Sequence, residues 1–256
     1  MSSLGTPTVP WVLEIVGPVV FAGFIAWVIL NTRRSRRLSL VSLALIAGTS
    51  MWWQEWYGDW GSYLLYNPHF ALLPWHHTPW TTPNKPWFVI PAYGWYYAII
   101  FPLMLAIIGR VRRARPAWNR LRWKQALTAV VVSLILFYAW DLTVEGAASA
   151  LGWWSYTHPI GPTLNSTKGT FPLAFPILLF CLFGVVVTWI IDQRDDLGRF
   201  RFEVAAGTYR LAAGWKREVA RAGLWIVMMN LAYIVCLIGP LIIWRHIGGP
   251  SSVLVP

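Results

Sequence analysis

The sequence predicts an all-α fold, a polytopic transmembrane helical bundle of about six spans with both termini outside. Three observations carry this reading. Hydrophobic residues make up 57% of the 256 residues and charged ones 12%, with a mean hydropathy of +0.50; soluble domains hold about 45–50% and about 25%. Six apolar runs each approach the roughly 20 residues that cross a bilayer core. Eighteen of the 21 Lys and Arg fall in three of the connecting loops, which the positive-inside bias makes cytoplasmic. The whole chain, 1–256, then reads as a single integral membrane domain of a plasma membrane. The composition excludes an ordinary cytosolic enzyme, a disordered chain and a disulfide scaffold. Cys181 and Cys236 sit in apolar runs and read as small buried hydrophobes.

The first run, 10–31, carries Glu14 one turn in. It lacks a basic leading flank and a small-residue cleavage site, so no cleavable leader is expected. Arg33, Arg34, Arg36 and Arg37 follow it. The second run, 39–57, leads into Met51-Trp-Trp-Gln-Glu-Trp-Tyr-Gly-Asp-Trp60, where Gln54, Glu55 and Asp59 are interleaved with four tryptophans, Trp53 and Trp56 among them. An interfacial aromatic belt accounts for the tryptophans but not for the acids. Rings around carboxyls suit a cationic transition state.

The outer loop 58–87 holds the turn Tyr66-Asn67-Pro68, His69 and five prolines between 68 and 86. It is too apolar to wave in water and reads as a lid folded over the bundle mouth. His76-His77 suggests a metal site, but no ligand spacing supports it, and no metal and no cofactor are expected. The third run, 88–109, carries Trp95; the loop 110–124 adds six arginines and Lys124.

The fourth run, 125–147, contains Asp141 and Glu145. A spacing of four puts both on one helix face. Carboxyls inside a span normally face the bundle interior or a wet cavity. A protonated acid beside an ionised one is what general acid–base chemistry needs; two solvated headgroup-level acids is the plainer alternative. Glu55-x-x-x-Asp59 and Asp141-x-x-x-Glu145 form a weak internal echo.

The outer loop 148–170 contributes Tyr156 and His158 and a formal but uninformative glycosylation triplet at Asn165. After the fifth run, 171–192, the basic cytoplasmic loop 193–222 contains a stretch, 199–218, that reads as an interfacial amphipathic helix. The five acids in or beside it, Asp192 to Glu218, are explained by surface pairing with arginines. The sixth run, 223–244, ends beside Arg245 and His246. The net charge of +11 is spread over loops that fix orientation and touch anionic lipid, so no nucleic-acid partner is expected.

Glu55, Asp59, Asp141 and Glu145 are therefore the candidate catalytic residues. Glu14, Trp53, Gln54, Trp56, Tyr66, Asn67, His69, Trp95, Tyr156 and His158 are the candidate substrate contacts. All lie on the outer side, placing the site near the outer leaflet. The chain has no phosphate-binding glycine loop, no Cys-pair motif and no nucleophile-elbow serine. Acid–base cyclisation, isomerisation, hydration or dehydration of a lipophilic molecule fits better than redox chemistry.

The segment Trp53-Gln54-Glu55…Asp59-Trp60…Tyr66-Asn67 and the later Asp141-x-x-x-Glu145…Leu151-Gly152…Tyr156…Lys168-Gly-Thr-Phe-Pro-Leu173 resemble the AveC-type spirocyclase family of bacterial integral membrane spiroketal cyclases. The resemblance implies closure of two rings on one carbon of a dihydroxy-ketone with loss of water, by carboxyl acid–base catalysis without a cofactor. A membrane terpenoid or carotenoid cyclase or hydratase is the related alternative. A proton-coupled transporter, which also needs intramembrane acids, and a non-catalytic membrane subunit are the others. The expected partners are a lipophilic small molecule and membrane lipids, with a pocket inside one protomer or shared in an oligomer.

Overall fold

The computed structural model describes residues 5–75, 78–116 and 121–256. The protein is mostly helical. Among the described residues four helices are long and apolar enough to cross a membrane: α1 (Val12–Ser35), α4 (Val89–Ala114), α5 (Arg122–Ala150) and α8 (Trp215–Ile247). The second apolar run is broken into α2 (Leu40–Thr49) and α3 (Trp52–Ser62). The fifth forms a shorter apolar helix, α6 (Ile177–Asp192), and α7 (Arg201–Ala205) is a single short turn region before α8.

The helix boundaries follow local chemistry. Pro18 opens the α-helical part of α1, and Arg36 in the left-handed conformation closes it. Ser39 caps α2 by accepting a hydrogen bond from the Ser42 amide at 3.1 Å. Between α2 and α3 the Ser50 amide reaches both the Ile46 and Ala47 carbonyls. The tightened turn re-aims α3, while the Ser50 hydroxyl accepts from Asn230 Nδ2 of α8 at 2.8 Å, so the irregular backbone is supported by a neighbouring helix. Two π-helical turns interrupt the long helices, at Val12–Val16 in α1 and Ile234–Ile238 in α8.

Small residues set the helix spacing. A Cβ on Gly94 of α4 would lie 2.4 Å from the Phe21 ring and from Thr49 Oγ1, and one on Gly48 of α2 would lie 2.7 Å from the Tyr93 carbonyl oxygen. These glycines allow α1, α2 and α4 to approach more closely than larger residues would, as is common for helices packed in lipid. Behind them Tyr97, Phe101, Phe137, Phe180 and Phe183 form a ring-on-ring core joining α4, α5 and α6.

The two ends of the bundle differ. At the arginine end, Arg112 of α4 forms a paired contact with Asp192 of α6 at 2.6–2.8 Å. Glu218 of α8 accepts from the Leu38 amide at 2.9 Å. At the opposite, loop end, strand β1 (Leu64–Tyr66) pairs antiparallel with β2 (Trp154–Tyr156), with Leu64 opposite Tyr156 and Tyr66 opposite Trp154. A second ribbon joins β3 (Thr163–Asn165) to β4 (Thr170–Pro172). The loop after β1 folds back on α3: the Thr82 amide donates to the Trp56 carbonyl, and Asn84 Nδ2 to the Tyr66 carbonyl.

Three sequence expectations change. The all-α reading omits the two ribbons, whose short extended segments lie inside loops read as irregular. The fifth run begins its helix at Ile177 rather than near 171, because Thr170–Pro172 is drawn into β4 and Pro172 and Pro176 resist helix before that point. The amphipathic helix expected over 199–218 does not form as one piece. Gly207 and Gly214, at φ 77 and 146, break it.

The acids of that region also pair differently from a surface array. Glu203 is fully buried and Arg221 nearly so. Arg221 Nε donates to Glu203 Oε2 at 2.9 Å and Nη1 to Glu218 Oε2 at 2.6 Å. Trp225 Nε1 and the Tyr209 hydroxyl also donate to Glu203. Burial of this kind is sustained because nearly every polar atom finds a partner. Asp195 remains near the surface, where Arg199 holds its carboxyl below the usual carboxylate range.

Candidate active site

At the loop end the helices enclose a cavity of about 190 Å³. α3 supplies Glu55 and Asp59; the spacing of four brings both to its inner face. α5 supplies Asp141 and Glu145 by the same spacing. All four candidate catalytic carboxyls line this one cavity. They are close enough for each to feel the charge of at least one other. None of the lining residues is Lys, Arg or His.

Glu55 is held by phenols. Tyr66 of β1 donates to Oε1 at 3.1 Å. Oε2 is reached by the hydroxyls of Tyr93 on α4 and Tyr233 on α8, the latter at 3.3 Å. The Tyr93 and Tyr233 hydroxyls lie 2.7 Å apart. Three elements thus fix one carboxyl. Among the described residues the other three carboxyls have no comparable ring of donors, and Asp59 Oδ2 is buried without a hydrogen-bond partner. Burial and the charges of Asp59, Glu55 and Glu145 hold the Tyr66 phenol well above its ordinary value. Tyr156 is raised in the same way by burial, then by Glu145 and Asp141.

The basic groups on this side are engaged elsewhere. Arg245 is buried against the faces of Trp60 and Tyr63, with its guanidinium carbon 3.9 and 4.3 Å from the ring centres. Its nitrogens donate to the Trp60 and Val255 carbonyls. Lys85 Nζ donates to the Thr82 carbonyl at 2.9 Å, and burial pushes its pKa down. Lys168 Nζ donates to Thr8 Oγ1 at 2.5 Å. Among the described residues no Lys, Arg or His lines the cavity beside its acids.

The candidate substrate contacts divide. Tyr66, Trp95 and Tyr156 line the cavity. Glu14, Trp53, Gln54, Trp56, Asn67, His69 and His158 lie outside that lining. Glu14 accepts from the Ala71 amide at 2.6 Å, tying the start of α1 to the outer loop. Gln54 donates to Asn230 Oδ1 at 2.5 Å. Trp53 is exposed and packs edge-on against Tyr57, and Trp56 is buried behind Tyr66. Asn67 is fully buried; its Nδ2 donates to the Gly5 and Gly152 carbonyls, and its Oδ1 accepts from His69. His158 packs on Tyr63. His76 and His77 lie outside the described residues.

Tyr93, Tyr96, Trp140, Trp154 and Tyr233 line the cavity without having been singled out in the sequence. A signal existed for two of them. Tyr93 and Tyr96, with Tyr97, recur at three- and four-residue spacing within one apolar run, which places phenols on one face of a span. Tyr233 follows Asn230 by one turn in the last run, the same signal in weaker form.

Residues 35–256 match the family model described as Spirocyclase AveC-like. The match spans both carboxyl pairs, the phenols around Glu55 and both capping ribbons. The chain belongs to the AveC-like spirocyclase family. The match starts at the last residue of α1, so Leu13 and Glu14 lie outside it. No curated protein and no solved structure matches this AveC-like chain. Membership suggests a spirocyclase-type enzyme, and the four apolar helices suggest a membrane protein.

Proposed function

We propose that this chain is a membrane-embedded, cofactor-independent cyclase that closes a spiroketal from a lipophilic dihydroxy-ketone. The observation that carries the reading is the cavity itself: four carboxyls without a basic neighbour in its lining, walled by aromatic rings and phenols. The first substrate hydroxyl adds to the ketone carbon and gives a hemiketal. A carboxylic acid of the cavity protonates the hemiketal hydroxyl, its C–O bond breaks, and water leaves an oxocarbenium ion. The second hydroxyl then attacks the same carbon and passes its proton to a carboxylate. One water is lost and the protons balance.

The site suits each step. Negative carboxylates and ring faces stabilise the developing cation in a dry space. Burial of the reacting chain favours ring closure by holding both hydroxyls near the carbon. Glu55, positioned by Tyr66, Tyr93 and Tyr233, fits a fixed counter-charge. Asp59, Asp141 and Glu145, less constrained by donors, fit proton transfer to and from substrate oxygens.

In this reading the chain is one integral domain that crosses the membrane six times, with α2–α3 acting as one crossing and α6 as another. The arginine end faces the cytoplasm, following the positive-inside bias, and both termini face outside. The loops 58–87 and 148–170 cap the site near the outer leaflet of the plasma membrane. The test is turnover of a dihydroxy-ketone by purified protein in lipid nanodiscs, with spiroketal and water loss followed by mass spectrometry. Glu55→Gln and Asp141→Asn are expected to lose product while folding normally. Full turnover by either variant would remove that residue from the mechanism.

A further inference from the structure

The residues around the cavity are not equally covered. Toward the loop end the lining is closed: Leu64, Tyr66, Trp154 and Tyr156 of the β1–β2 ribbon are each at most 8% exposed. The exposed rim lies instead on the flank of the bundle. Val144 of α5 lines the cavity and is 38% exposed, and Leu13, Trp95 and Trp140 line it while half-buried.

The backbone around this rim explains the opening. The chain before α1 crosses the top of the bundle. The Thr8 amide donates to the Leu151 carbonyl, and Trp153 Nε1 donates to the Thr8 carbonyl. Beyond that strap α1 turns away and packs chiefly on α4, and only 6% of its apolar window is buried. Leu13 lies in the π turn Val12–Val16 at the start of α1, and such turns recur at functional sites. The partly exposed lining residues thus come from three helices, Leu13 of α1, Trp95 of α4, and Trp140 and Val144 of α5, on the bundle beside the Thr8–Leu151 strap.

We propose that these residues frame a window in the flank of the bundle between α1 and α5, with Leu13 and Val144 as its posts, and that the substrate enters and product leaves sideways through it, from the lipid. The posts are apolar and belong to helices apolar enough to lie in a bilayer. The class admitted is a molecule already dissolved in the membrane, presenting an apolar body first and carrying its hydroxyls to the carboxyls within. A water-soluble polyol of the same reactive pattern meets the closed ribbon instead. The inference rests on the reading of the cavity as the substrate site.

The test reads access directly and does not need turnover. In a Cys181→Ala, Cys236→Ala background, Ser62→Cys places a thiol in the cavity wall, where Ser62 is 5% exposed. Protein in nanodiscs is treated with a long-chain alkyl maleimide or with a sulfonated, membrane-excluded maleimide. The alkyl reagent, concentrated in the bilayer by its chain, is expected to label at least about tenfold faster. Val144→Trp is expected to slow that labelling about tenfold by filling the window, while thermal unfolding is unchanged because the new ring sits at the exposed rim. Leu13→Trp on the opposite post provides the second variant if the first folds poorly. Faster labelling by the sulfonated reagent, no labelling by either, or alkyl labelling indifferent to both tryptophans would overturn the proposal. Window-dependent labelling without any cyclisation would keep the route and remove the cyclase reading.

Discussion

Tyr233 of α8 donates to Glu55 Oε2 of α3 at 3.3 Å while its hydroxyl lies 2.7 Å from that of Tyr93 on α4. One carboxyl oxygen thereby fixes the relative position of three helices. Glu55→Gln keeps the volume and loses the charge. Product formation is expected to fall by a factor of about 10² or more, the usual range for a group in acid–base or charge-stabilising work. Tyr233→Phe removes one of three donors and is expected to cost about tenfold or less. Initial rates of both variants in nanodiscs check the order.

Asp141 and Glu145 lie on α5, across the cavity from α3. Asp141→Asn is expected to abolish spiroketal formation to a similar degree with little change in thermal unfolding. A partly reacted hemiketal accumulating in the Asp141→Asn reaction would assign that residue to the water-loss step. Unchanged product yield would remove it from catalysis.

Gly48 tests positioning without touching an acid. Its Cβ in Gly48→Ala would meet the Tyr93 carbonyl oxygen at 2.7 Å, so α4 must shift and carry the Tyr93 hydroxyl off Glu55. Activity is expected to fall more steeply than stability. Turnover and unfolding temperature measured side by side check the difference.

Asn67 should behave in the opposite way. It holds the Gly5 and Gly152 carbonyls and does not line the cavity. Asn67→Ala leaves the buried Gly152 carbonyl without this donor, at about 1–3 kcal/mol. Reduced stability with a nearly normal rate in the surviving folded protein is the expected result, and activity per folded molecule is the measurement.

Arg221 stands between two buried acids at the arginine end. Arg221→Met leaves Glu203 and Glu218 facing each other without a cation, which is expected to destabilise the protein by about 3–5 kcal/mol. Adding Glu203→Gln to that variant is expected to restore part of the loss. Chemical unfolding of the single and double variants decides it.

The raised phenols give a pH dependence. In the folded protein Tyr66 and Tyr156 resist ionisation, whereas in the unfolded chain they titrate near the ordinary value of about 10. Their contribution to stability is therefore complete below about pH 10 and is lost as pH rises from there toward the folded values. Tyr156→Phe is expected to flatten the alkaline limb of the stability curve.

Much of the site was legible because carboxyls in apolar runs have few places to go. Asp141 and Glu145 on α5, and Glu55 and Asp59 on α3, could be paired by helical spacing alone, and burial in a shared cavity is the structural outcome. The helical apolar runs were legible for the same reason of length and composition. The phenols of Tyr93 and Tyr233 were not, because tyrosine at helical spacing in a span looks like ordinary packing until its hydroxyl finds an acid. Asn67 and Gln54 misled in the other direction. Each is a polar residue beside a candidate acid, and each is consumed by backbone or amide partners that sequence spacing does not reveal. The burial of Glu203 and Arg221 was hidden because a charge-rich loop reads as solvated until the fold closes over it.

The β1–β2 ribbon has a mechanical consequence. β1 continues from α3, which bears one pair of acids, and β2 follows α5, which bears the other. The six residues of the ribbon are expected to act as the pivot of a caliper whose jaws are the two carboxyl pairs. A change of side-chain size at Leu65 or Ser155, neither of which lines the cavity, would reset the gap between the jaws. In the proposed cyclisation, ring size in the product is then expected to drift through the pivot while every reacting group stays unchanged.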